Sequence, residues 1–287
     1  LWLINPAGTI FGEGASLDVR GGFHASTAGN VVFGDGYRYN AASTDAPPLL
    51  LVASPVGFGF GDTPAGRITV SGATLAVDGD LSAGQATLSL VGGDLEFDGA
   101  SVRIDSIVNH SRGVFMAPNA GGTVNLVAVS SEADVLLGPS EPVISRPGGG
   151  EVGYGTITLT DSELTTFSPP PRPDRPEVVI QEGRDTHFYL RGGQIAADNS
   201  SIRNHAAPGD IDIAANSITF SNGSFIEAGY IEGDGPRASR VVLAVVADTV
   251  IKTGSQVRLE GGPTANLAVA SETGDRILLG NGLDIGE

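Results

Sequence analysis

The sequence predicts an all-β protein, a right-handed parallel β-helix with loops projecting from it. Three observations predict it. Short apolar pairs at alternate positions recur along the chain, about seven residues apart. Gly, Asn and Asp punctuate the stretches between them. Glycine is 42 of 287 residues, about twice ordinary usage, and Leu, Ala, Glu and Lys nowhere fall at helical spacing.

The repeat comes first. Its clearest copies start at Ile68 (then Val70, Leu75, Val77, Leu81), Leu88 (Leu90, Leu95, Phe97, Val102) and Ile211 (Ile213, Ile218, Phe220, Phe225). Weaker copies start at Ile157, Phe188 and Leu243. Alternation has period two, so each pair is a half-buried strand. Ser71-Gly72, Asp78-Gly79, Gly92-Gly93, Asp98-Gly99, Gly192-Gly193, Asn222-Gly223 and Thr253-Gly254 turn one strand into the next. Three short strands with turns between them make one coil of a solenoid. Ile68 and Leu88 lie 20 residues apart, Phe188 and Ile211 23. About a dozen coils spaced ~4.8 Å apart would form a rod of roughly 60 Å. A second echo links Val127-Ala128-Val129-Ser130-Ser131-Glu132 to Leu267-Ala268-Val269-Ala270-Ser271-Glu272. A β-sandwich is the competing all-β architecture, but its strands run longer and would not keep the seven-residue step. The glycine load excludes a helical solenoid.

Three segments break the register and are expected to be loops on one face. Residues 37–48 are polar and end in Pro47-Pro48. Residues 139–154 carry Pro139, Pro142, Pro147 and Gly148-Gly149-Gly150. Residues 168–177 are a polyproline-like run.

Charge and composition exclude several functions. Lys+Arg 16 against Asp+Glu 33 gives a net charge of −17, which argues against a nucleic-acid partner and against docking on an anionic membrane. Zero cysteines exclude disulfides, Cys-ligated zinc, iron–sulfur clusters and thiol catalysis. The longest apolar stretches, 49–53 and 241–247, fall far short of the ~20 residues a spanning helix needs, so no membrane insertion is expected. There is no basic leader and no initiator Met, and the first residues look like the inside of a strand. The expectation is a piece of a longer protein whose signal peptide lies upstream.

The first forty residues carry the most specific pattern. Leu1-Trp2-Leu3-Ile4-Asn5-Pro6-Ala7-Gly8-Thr9-Ile10-Phe11-Gly12 runs into Ala15-Ser16-Leu17-Asp18-Val19, Gly21-Gly22-Phe23, Ala25-Ser26-Thr27-Ala28 and Phe33-Gly34-Asp35-Gly36. This resembles the secretion domain of filamentous-haemagglutinin-type exoproteins, the passengers of two-partner secretion in Gram-negative bacteria, in its cyanobacterial style. Asn5, Pro6 and Gly8 match the family's Asn-Pro-x-Gly signature, while Ala7 replaces the usual Asn and Thr9 the usual Ile. The resemblance implies that residues 1–40 are the C-terminal part of a secretion (haemagglutination-activity) domain and that 41–287 continue the β-helix repeats. It implies export through an outer-membrane transporter partner to the cell surface or medium, and an adhesin's interaction with a host or neighbouring-cell surface.

The residues themselves suit a turn. Pro6 fixes φ for a first central position. Asn5 can bond the backbone two residues on, and Gly8 adopts conformations closed to other residues. Ile4, Ile10 and Phe11 are the flanking core candidates.

No phosphate loop, Gly-x-Ser-x-Gly or His-Glu-x-x-His is present. His24, His110, His187 and His205 lack ligand spacing, and no Gly-Gly-x-Gly-x-Asp calcium repeat occurs. No cofactor, catalytic residue or metal ligand is therefore assigned. The rival reading is a polysaccharide-active β-helix lyase or hydrolase, which needs clustered carboxylates. Its candidates are Asp198, Asp210 and Asp212 with Arg191 and Arg203, but Asp198 and Asp212 fall at different template positions.

Overall fold

The structure, a computed structural model, describes residues 1–43, 53–78, 86–105, 122–138, 141–167, 186–204 and 209–228, and strands within 240–286. Among them every regular element is a strand. Among the described residues the chain makes eight successive passages, each laying strand segments into three columns. The first passage is Trp2–Ile4, Thr9–Phe11 and Ser16–Arg20; the second is Gly22–Ser26, Ile68–Ser71 and Thr74–Asp78; the third is Ala86–Gly92, Leu95–Asp98 and Ser101–Asp105. The fourth uses Gly122–Ala128, Thr156–Thr160 and Glu163–Phe167. In the fifth and sixth, Thr186–Asp198 and Gly209–Ser221 run through two columns without a break, followed by Ser201–Asn204 and Phe225–Ala228. Arg240–Val245, Thr249–Ile251 and Gln256–Leu259 make the seventh, and Asn266–Ser271, Ile277–Leu279 and Ile285–Gly286 the eighth.

Each segment pairs in parallel with its equivalent in the next passage. Phe23, Leu88, Val124, Phe188 and Ile211 form one line of partners in the first column. Ile68, Leu95, Ile157, Ile195 and Ile218 form one in the second, and Leu75, Val102, Leu164, Ile202 and Ile226 one in the third. Period-two alternation turns these residues to one side, where they make a single apolar core. Leu88, Ile68, Leu75, Phe188 and Ile157 are fully buried, each stabilising the fold by roughly 1.5–3 kcal/mol.

Three sequence expectations need correction. The Ile68 and Ile157 copies belong to the second column, whereas Leu88, Phe188 and Ile211 belong to the first, so 20 residues is not the repeat. Equivalents lie 27 apart from Ile68 to Leu95, 23 from Ile195 to Ile218 and 62 from Leu95 to Ile157. Alternation alone cannot distinguish the columns, because each presents the same apolar pair. Among the described residues the third column has eight strands, which at ~4.8 Å spacing span about 34 Å instead of about 60. The echo of Val127 in Leu267 is also out of register: the partners run Val124, Phe188, Ile211, Val241, Leu267. A three-residue slip reverses the face, and Val127 belongs to a different core from Val124.

That second core explains two of the interruptions. Residues 37–48 and 139–154 are not plain loops, since they contain the strands Arg38–Asn40 and Val143–Ser145. Asn30–Phe33, Arg38–Asn40, Pro55–Phe60, Ala133–Leu136 and Val143–Ser145 form a separate antiparallel sheet. Phe58, Phe60, Val31 and Val135 turn from this outer sheet onto Val91 and Val127, the outward side chains of the first column. Trp2 and Ile4 join the same cluster. Residues 44–48, 139–140 and the proline-rich run 168–177 lie outside the described residues.

Candidate functional site

The turn at residues 5–8 closes between the first two strands of the first passage. The Gly8 amide donates to the Asn5 carbonyl at 3.1 Å. The Asn5 side chain bonds at both ends: Nδ2 donates to the Gly8 carbonyl at 2.7 Å and Oδ1 accepts from the Ala7 amide at 3.2 Å. Gly8 has φ of +120°, a conformation that side-chain-bearing residues rarely adopt. Asn5, Pro6 and Ala7 are solvent-exposed.

The turn rests on the second passage. The Thr9 amide donates to the Arg67 carbonyl at 3.0 Å, and the Gly66 amide to the Pro6 carbonyl at 3.2 Å. A Cβ on Gly66 would lie 2.6 Å from the Gly8 nitrogen. The same close approach continues down this corner. The Gly93 amide donates to the Gly66 carbonyl at 2.9 Å and the Gly193 amide to the Gly155 carbonyl at 2.7 Å. A Cβ on Gly93 would collide with the Ala65 carbonyl oxygen, one on Gly155 with the Gly93 carbonyl oxygen, and one on Gly193 would lie 2.8 Å from the Tyr154 carbonyl oxygen. The motif is therefore the first step of a glycine stack. Sequence reasoning missed Gly66, Gly93, Gly155 and Gly193 as a set. Their signal was present, since each stands two residues before a second-column apolar residue: Ile68, Leu95, Ile157 and Ile195.

Of the flanking core candidates, Ile4 packs in the outer core and Phe11 against the inner one. Ile10 does neither. It is 77% exposed, because Thr9 and Phe11 pair with Ile68 and Val70 and alternation turns the residue between them outward.

Beside the turn, Trp2 stacks on His24 with ring centroids 4.3 Å apart and tilts against Phe58 at 4.9 Å. Burial is the leading cause that pulls the His24 pKa from 6.5 to about 4. Its Nδ1 lies 3.0 Å from Ser89 Oγ, which also accepts from Asn125 Nδ2 at 3.1 Å.

Of the charged residues weighed for catalysis, Asp210, Asp212 and Arg191 lie together around Tyr189, while Asp198 and Arg203 lie on other columns. Arg191 pairs with Asp212 at 2.8 Å and sits over the Tyr189 ring at 5.5 Å, while His187 lies 3.7 Å from Asp210. Burial is the main reason the Tyr189 pKa is raised, with Asp212, Asp210 and Glu141 adding to it. Asp198 is on another column, where it accepts hydrogen bonds from Ser221 and Asn222. Arg203 pairs with Glu163 at 3.2 Å in the third. Among the described residues no three His, Asp or Glu side chains are placed to hold a metal ion. His110 and His205 lie outside the described residues.

Residues 1–142 match the family model of the TPS secretion domain. No curated protein and no solved structure matches the chain.

Proposed function

We propose that this two-partner-secretion passenger, with its secretion domain at residues 1–142, is exported across the outer membrane through a dedicated transporter and acts outside the cell as a non-catalytic adhesin. The family match carries the reading. The motif-bearing residues 1–40 and the repeats from 41 onward form one module as far as 142, beyond which the repeats continue. The whole winds as a right-handed parallel β-helix, which the parallel pairing of equivalents in three columns supports. Its organism is Gram-negative, its signal peptide lies upstream, and its ligand sits on a host or neighbouring cell.

The physics suits such a route. A chain with no cysteine cannot be locked by disulfides before it crosses the membrane. Passages that bond mainly to their neighbours can fold one after another as they emerge. A net charge of −17 keeps emerging chains apart. The turn of Asn5, Pro6 and Gly8 serves the secretion step, either meeting the transporter or starting the stack of passages outside it.

The test is export of the full-length protein with its transporter co-expressed. Asn5→Ala and Gly8→Val should each lower the secreted fraction several-fold, while Gly99→Ala, at a different corner, should not. Export unchanged in both motif variants would remove the turn from the secretion step. Reproducible cleavage of pectin-like or other acidic polysaccharides by the purified protein would overturn the non-catalytic reading.

A further inference from the structure

We propose that residues 133–136 are a strap that closes the outer sheet and couples the second passage directly to the fourth, making residues 1–136 more cooperative than a nearest-neighbour stack. The two insertions leave the first column in different passages, with the third passage between them. Pro55–Phe60 comes from the second and Ala133–Leu136 from the fourth, and they pair antiparallel, Gly57 to Leu136 through Phe60 to Ala133. Both then cover Val91 of the third passage, which has no insertion at this corner.

The strand sequence Gly57-Phe58-Gly59-Phe60 is suited to this join. Phe58 and Phe60 are buried against the coils. The two glycines clear the other face. A Cβ on Gly57 would collide with the Val135 carbonyl oxygen and lie 2.9 Å from the Leu136 Cα, so only glycine lets the strap backbone approach. A Cβ on Gly59 would lie 2.7 Å from Arg38 Nη1 and 3.2 Å from Asp134 Oδ1. Over that gap Arg38 reaches Asp134 in a two-pronged ion pair of 2.7 and 2.6 Å, joining residues 96 apart in sequence. Such forked pairs are the geometrically specific kind. The strap pairs along Pro55–Phe60, and Val143–Ser145 then pairs along its other side as the edge strand of that sheet. The coupling depends on the fold alone, not on export.

The chain carries its own reporter. Trp2 is the single tryptophan, and it packs on Phe58 beneath the outer sheet. Weakening the strap should therefore be felt at Trp2, more than 130 residues away in sequence. The experiment uses the full chain with Asp134→Ala, Arg38→Ala and the exchanged pair Arg38→Asp with Asp134→Arg. Hydrogen exchange by mass spectrometry is read alongside Trp2 emission during urea unfolding. Each single variant should speed exchange in 133–136, 30–33 and 55–60 together, by roughly five-fold. Each should also move the Trp2 transition to lower urea, leave 186–221 unchanged, and be largely reversed by the exchanged pair. Gly57→Ala should do the same more strongly. Faster exchange confined to 133–136 with an unmoved Trp2 transition would overturn the proposal, as would an equal rise across 186–221.

Discussion

The glycine stack makes a quantitative prediction at Gly155. Replacing it with Ala puts a methyl group into the Gly93 carbonyl oxygen, which is backbone and cannot swing away. Either the Gly93 corner or the Gly155 corner must move. Two hydrogen bonds are at risk, from the Gly155 amide to the Ala128 carbonyl (3.0 Å) and from the Gly193 amide to the Gly155 carbonyl (2.7 Å). Each contributes about 1 kcal/mol net, and more where a buried group is left unpaired. Forcing one carbon into a packed corner costs a further 1–3 kcal/mol or so. Gly155→Ala should therefore destabilise by about 3–5 kcal/mol.

Gly99→Ala is the matched control. Gly99 has φ of +58° but open space where its Cβ would go. It should lose only the roughly 1 kcal/mol that a left-handed conformation costs an alanine. Urea unfolding followed by far-UV circular dichroism measures both. Hydrogen exchange locates the damage, because a long stack need not unfold in one step. If the two variants fall within about 1 kcal/mol of each other, backbone contact does not dictate the glycines at this corner.

Two further predictions follow from buried polar groups. The folded pKa of His24 is about 4, below its ordinary 6.5, so the unfolded chain binds the extra proton between these values. This contribution to stability is intact above pH 6.5 and is lost as pH falls toward 4, by up to about 3 kcal/mol. The slope of stability against pH in that window should flatten in His24→Gln, and parallel curves for the two proteins would contradict the assignment. At the corner between the second and third columns, Ser162, Ser200 and Ser224 are buried, and their hydroxyls form a ladder. Ser200 Oγ accepts from the Ser162 amide at 3.0 Å and donates to the Asp198 carbonyl at 2.8 Å. Ser200→Ala should cost about 1–3 kcal/mol by leaving the Ser162 amide unpaired, measured as a lower urea midpoint, whereas an unchanged midpoint would show that another acceptor replaces the hydroxyl.

The sequence revealed strand chemistry more readily than strand placement. Alternation at Leu88 and Leu90, or at Ile211 and Ile213, marks a half-buried strand wherever it falls. It says nothing about which column the strand joins, and so Ile68 was matched with Leu88 when its partners are Leu95 and Thr9. The outer sheet was harder still. Residues 38–40 and 143–145 look like polar or proline-bounded interruptions because they serve as edge strands of a small sheet, with only one face to bury. Gly57-Phe58-Gly59-Phe60 did alternate, but Gly57 faces the backbone of residues 135–136 and Gly59 an ion pair between residues 96 apart, which no local pattern encodes. The turn at 5–8 was legible because Asn, Pro and Gly each act on backbone within three residues. Its role as the top of a stack was not, since the contact is with Gly66.

These differences point to a division of labour. The apolar columns supply most of the stabilisation, yet Leu, Ile, Val and Phe alternate almost interchangeably through them, and a pair from one column would fit another. Register needs features that cannot be exchanged, and they sit at the corners. One corner requires glycine at 66, 93, 155 and 193 because backbone occupies the place of a side chain. The other carries left-handed residues at Gly72, Gly99, Asp161, Asn199 and Asn222, with the Gly72, Gly99, Asp161 and Asn199 amides each donating to the next passage. A slip of one residue would bring Ala65 or Arg67 to the place of Gly66 and Tyr154 or Thr156 to the place of Gly155, each with a Cβ where backbone now lies, and would bring Ser71 or Ala73 to the left-handed position of Gly72. Substitutions in the columns should therefore lower stability while preserving the pairing, and substitutions at the corners should loosen the pairing itself. On this reasoning the high glycine content is what makes a sequence of near-identical apolar strands fold in only one register.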